Sequence, residues 1–175
     1  MISKEEVSNI KILVLGIGNE LAGDDIIGII AVREVAKIGP ADVDYKQLST
    51  GGLQVLETML GYDKVLIVDS IETNSLKKRI LRLTSEDLNK ATFLASPHDI
   101  NFPTALEIGR KSLPELMPKM IKIIGIEIPV QENISDQVSE ETMAKIPTLK
   151  KMILEEINQF LKNNDKNEKE NHLLK

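Results

Sequence analysis

Leu13-Val14-Leu15-Gly16-Ile17-Gly18-Asn19-Glu20-Leu21-Ala22-Gly23-Asp24-Asp25-Ile26-Ile27-Gly28 is the stretch whose reading decides the fold. It opens as a buried strand: Ile10, Ile12, Leu13, Val14 and Leu15 form an apolar run that ends in glycine, as central parallel strands do. Gly16, Gly18, Asn19 and Gly23 then favour a tight turn, because they tolerate backbone angles that other residues avoid. Asp24 reads as the N-cap of a helix over Ile26 to Ala36. That leaves Asp25 in the first helical turn, above the carboxyl edge of the sheet, where α/β folds bind their ligands.

Outward from this stretch the same pattern repeats. Gly39-Pro40 stops the first helix, Val43 to Leu48 alternates as a second strand, and Thr50-Gly51-Gly52 turns into a helix over Leu53 to Leu60. On that helix Leu53, Leu56 and Leu60 are expected to share the buried face. Lys64 to Ser70 carries four consecutive large apolar residues and reads as the central strand, ending at Asp69. Ile80 to Leu83, set among Lys77, Lys78, Arg79 and Arg82, reads as an edge strand. A loop stiffened by Pro97 and Pro103 leads to a helix ending near Ser112, and Met120 to Pro129 forms the last strand. Gly125 inside that strand suggests close approach of another backbone. Pro147 should kink or split a C-terminal helix over Glu140 to Phe160. The expected fold is α/β: a three-layer sandwich with a mostly parallel, twisted sheet of about five strands flanked by helices. Residues 1–162 form one domain, and the polar, charged residues 163–175 read as a disordered tail.

Composition excludes several classes of function. The net charge of −5 and an aromatic content of 3% argue against nucleic-acid binding, which needs a basic face or stacking platforms. With no cysteine there is no disulfide, thiolate metal site or cysteine nucleophile. No long apolar run suggests membrane insertion, and the opening Met1-Ile2-Ser3-Lys4-Glu5-Glu6 does not resemble a signal peptide, so a cytoplasmic protein is expected. A dinucleotide site is disfavoured too. Gly16 and Gly18 match the first half of G-x-G-x-x-G, but Leu21 stands at the third glycine, and two aspartates at the helix start would repel a pyrophosphate.

Three potential ligands fall at one sheet edge: Asp25 after the first strand, Asp69 on the central strand, and His98 in the proline-flanked loop. Two neighbouring carboxylates require a proton or a cation between them, and an added imidazole makes an O2N set suited to a borderline divalent metal with open positions. His172 lies in the tail and is expected to be inert. Glu20 and Asp24 either support the ligands or serve turn and cap chemistry. A serine–histidine route through Ser70 or Ser96 lacks a visible orienting group.

At these residues the sequence resembles the hydrogenase maturation endopeptidases, in the branch serving formate-hydrogenlyase-type hydrogenases. The matching segments are Gly16 to Gly28, Thr50 to Leu53, Gly61 to Ser70, Ser96 to Leu106 and Gly125 to Ile128. One departure is Ile26, where the family often has glycine after its acidic pair. The resemblance implies an endopeptidase that removes the C-terminal extension of a nickel–iron hydrogenase large-subunit precursor after nickel insertion. It carries the metal-binding and catalytic roles onto Asp25, Asp69 and His98. The metal is then nickel presented by the substrate, or another divalent metal in the same site. The partner is the large-subunit precursor, and a monomer is expected rather than an oligomer. The competing implication is a nickel-binding hydrogenase assembly chaperone that does not cut.

Overall fold

In the computed structural model, residues 10–49, 52–72, 79–87, 102–129, 135 and 137–173 are described, with side chains to residue 162. Strand β1 (Ile12–Ile17) leads through a 3-10 turn (Gly23–Ile26) into helix α1 (Ile27–Ala36), strand β2 (Val43–Leu48) and helix α2 (Leu53–Met59). Strands β3 (Lys64–Glu72) and β4 (Ile80–Thr84), helix α3 (Phe102–Ser112) and strand β5 (Met120–Ile128) follow. Helices α4 (Glu140–Met143) and α5 (Ile146–Leu173) close the chain.

The five strands lie in the order β2-β1-β3-β5-β4. Pairing is parallel from β2 to β5, and only the edge strand β4 runs antiparallel, with Ile80 opposite Ile126. β3 is therefore central, as its apolar run requires. Because successive strand residues face opposite sides, each central strand feeds two cores. Ile12 and Val14, Leu66 and Val68, and Ile124, Ile126 and Ile128 pack against α1 and α5. Leu13 and Leu15, Val65 and Ile67, and Ile121 and Ile123 pack against α2 and α3. These are the three expected layers.

The helix α1 sits unusually low on the sheet. A Cβ on Gly28 would lie 2.4 Å from both the Ile17 and the Val68 carbonyl oxygens, and one on Gly16 would lie 2.6 Å from the Gly28 oxygen. The close helix–strand contact that Leu21 could not provide comes from Gly28 instead.

Two expectations change, at α2 and at Gly125, and the expected split near Pro147 is present. The buried face of α2 is Val55, Leu56 and Met59, whereas Leu53 is exposed at the first turn. Its start follows Gly52 at φ 60°. Gly125 makes room for a side chain: its missing Cβ would lie 2.3 Å from Ile71 Cδ1. The split near Pro147 falls between α4 and α5, at Ala144 and Lys145. The backbone of α5 is helical through Leu173, past the position where the tail was expected to begin. Edge strand β4 is clasped by Arg79, whose backbone N–H and guanidinium donate to the buried Glu127. Among the described residues, no helix is long and apolar enough to cross a membrane.

Candidate active site

The turn after β1 is built from backbone contacts. Gly18 N–H donates to the Leu48 carbonyl, and Asn19 accepts from Leu21 N–H through its side chain. A Cβ on Gly18 would lie 2.3 Å from the Asp25 carbonyl oxygen, so this glycine lets the chain double back beneath Asp25. The acidic pair then lies in the 3-10 turn ahead of α1, and Ile26 caps the helix without any side-chain bond.

Asp24 is consequently not an N-cap. It is buried and accepts from Ser139 N–H at 2.7 Å, Ser139 Oγ at 2.9 Å and Thr142 Oγ1 at 2.9 Å. The same region forms a parallel bridge between Ala22 and Ser135, with Gly23 N–H donating to the Ser135 carbonyl at 2.6 Å. The segment following β5 therefore clamps the turn from outside. Glu20 stays on the surface, 3.7 Å from Arg33, and does not join the site.

Asp25 points the other way, toward β3. Ser70 Oγ donates to Asp25 Oδ1, and Ser70 N–H donates to Asp69 Oδ1 at 2.8 Å. Asp69 lies within β3 rather than at its end, just past Val68, where pairing with β1 stops. The two aspartates are near neighbours electrostatically. Burial pushes the Asp69 carboxyl up to about 7, the Asp25 charge adds to this, and the Ser70 N–H opposes it. An acid poised near neutrality beside a second carboxylate can exchange a proton with water or share a cation.

His98 lies outside the described residues, as does Ser96. Among the described residues, no third metal-ligating side chain joins the two aspartates. A cleft lined by Ile10, Asp42, Asp44 and Tyr62 opens near the start of β1 and β2, at the opposite end of those strands from the aspartates. Two parts of the site were missed from sequence: the Ser70 bonds to both acids, and the Asp24 anchor. The doublet itself was the available signal, because adjacent aspartates in a tight turn cannot share one environment.

The sequence model described as HycI, hydrogenase maturation protease, matches residues 39–156. The hydrogenase 2 maturation protease of Escherichia coli (strain K12) is 27% identical over 155 residues, 86% of this chain and 88% of that protein. Among solved structures, the hydrogenase maturating endopeptidase HybD from E. coli superposes with a TM-score of 0.72 at 24% identity, covering 86% of this chain and 93% of that one. The hydrogenase 2 maturation peptidase from Thaumarchaeota archaeon SCGC_AB-539-E09 has a TM-score of 0.59 at 27% identity, covering 84% and 97%.

Proposed function

From the premise that this chain belongs to the hydrogenase maturation protease family, whose members are endopeptidases and hence hydrolases, we propose that it trims a nickel–iron hydrogenase large-subunit precursor. It removes the C-terminal extension after nickel has been inserted, and it recognises that nickel through Asp25, Asp69 and His98. The observation that carries this reading is the meeting of Asp25 and Asp69 around Ser70 at the carboxyl side of the sheet.

Carboxylates repel one another unless a proton or cation intervenes, so a metal arriving with the substrate relieves the pair. Two carboxylates and one imidazole bind a first-row metal less firmly than a closed four-ligand site, which suits a metal delivered by a partner. The ligand bonds would then hold the precursor tail in register for attack. Water is activated either by the metal or by a carboxylate acting as general base. Family membership favours this reading over a non-cutting nickel chaperone.

The test is to mix purified protein with precursor prepared with and without nickel and to follow the tail by mass. Cleavage of the nickel-loaded form alone is expected. Equal cleavage of both forms would overturn nickel recognition, and full-length precursor in both would favour the chaperone.

A further inference from the structure

Asp69 and Ser70 are consecutive on β3, so their side chains belong to opposite faces of the sheet. Ser70 continues the row of Leu66 and Val68, which packs against α1. Asp69 continues the row of Val65 and Ile67, which packs against α2 and α3. The turn carrying Asp25 leads directly into α1, on the Ser70 side. The two acids therefore reach Ser70 from opposite faces of one strand, and Ser70 is the residue that bonds both. Its hydroxyl donates to Asp25 Oδ1 and its backbone N–H to Asp69 Oδ1.

We infer that Ser70 is the positioning residue of this site, holding one oxygen of each aspartate so that the second oxygen of each faces a shared cation. Among the described residues, neither Asp25 Oδ2 nor Asp69 Oδ2 receives a hydrogen bond. A carboxylate gripped through one oxygen has its plane fixed and presents the other lone pairs in a set direction. Loss of a group that orients a metal ligand in this way typically weakens metal affinity or activity by roughly 10–100-fold. The division of labour is specific: only the Asp25 bond depends on the side chain, because the Asp69 bond comes from the main chain.

This inference rests on the reading of Asp25 and Asp69 as nickel ligands, and the variants separate the two ideas. Ser70→Ala removes the hydroxyl and keeps the N–H, whereas Ser70→Thr keeps both. Nickel(II) alone is titrated calorimetrically into each full-length protein, and kcat and KM for nickel-loaded precursor are measured beside the melting temperature. Ser70→Ala is expected to bind nickel(II) roughly 10–100-fold more weakly and to process more slowly. Its melting temperature should move by only a few degrees, and Ser70→Thr should return near the wild-type values. Normal nickel binding and processing by Ser70→Ala, while Asp25→Asn loses both, overturns the role of Ser70 and leaves the site standing. Normal behaviour of Asp25→Asn overturns the ligand reading on which it rests.

Discussion

Thr142 lies 118 residues after Asp24, yet its hydroxyl donates to Asp24 Oδ2 at 2.9 Å in the buried interior. With the two bonds from Ser139, this makes Asp24 the hub that fixes the start of α4 to the acidic turn. Ser139 in turn caps α4 by accepting from Thr142 N–H at 3.2 Å. Asp24→Ala should cost about 2–3 kcal/mol, since the buried Thr142 hydroxyl loses its acceptor and Ser139 loses two charge-assisted bonds. For a chain of this size that lowers the melting temperature by roughly 5–10 °C. Processing should fall as well, because Asp25 is the next residue. An unchanged melting curve would show that the three bonds do not constrain the fold.

Gly28 gives a second prediction. Any side chain there must displace two carbonyl oxygens of neighbouring strands, each 2.4 Å from where its Cβ would stand. Gly28→Ala is expected to destabilise by about 3 kcal/mol or more, read by chemical denaturation. Gly61→Ala is the control: it meets nothing within 4 Å, but its φ of 80° is left-handed. That change should cost only about 1–2 kcal/mol. A loss at Gly28 no larger than that at Gly61 would mean that the two neighbouring strands shift to admit the added methyl group.

The parts of this molecule that could be read in advance are those written in local pattern. The apolar run at Val65 to Val68 requires burial on both faces, and β3 is indeed the middle strand. Asp25 and Asp69 follow from strand and turn placement. What escaped depends on partners far along the chain. Nothing near Asp24 announces Ser139 or Thr142, so a helix cap was the local solution. Locally Ser70 reads only as a candidate nucleophile, because its partner Asp25 is 45 residues away. On α2 the leucine spacing misled, since Val55 and Met59 take the buried positions beside Leu56. Gly125 failed for a related reason: the neighbour that fills its gap is the side chain of Ile71, on another strand.

The clasp on β4 predicts an acid-sensitive contribution to stability. The Arg79 side chain beside Glu127 holds that carboxyl below the usual carboxylate range. A lowered carboxyl value means that the folded chain keeps its charge where the unfolded chain has gained a proton. The stabilisation is therefore present above about pH 4.3, the unfolded value, and is lost as pH falls through the folded one. Glu127→Gln should melt below wild type at pH 7, by an amount on the order of 1 kcal/mol, because Arg79 is half-exposed and solvent weakens the pair. The gap should narrow as pH falls below about 4.3, through the lowered folded-state value. A gap independent of pH would assign the loss to packing instead.

The polar residues 163–175 give a final prediction. Among the described residues, the apolar side chains of α5 buried nearest its end are Ile153, Ile157 and Phe160, all fully covered, and the composition beyond Lys162 offers little apolar surface to bury. A chain ending at Lys162 should keep the melting temperature and cleavage rate of the full protein. A clear loss of cleavage would extend the working domain past Lys162 and bring His172 back into consideration.

The contacts of Gly16, Gly18 and Gly28 put main chain directly on main chain beneath the acidic turn. Elsewhere in the core, side chains set the spacing between elements, and a methyl group gained or lost is felt by the neighbours that pack on it. Here the height of α1 over β1 and β3 is set by a hard stop of peptide atoms. Asp25 is thus referenced to the sheet as a part is referenced to a machined shoulder. Substitutions in either apolar layer can change the stability of the molecule while the gap between Asp25 and Asp69 keeps its gauge.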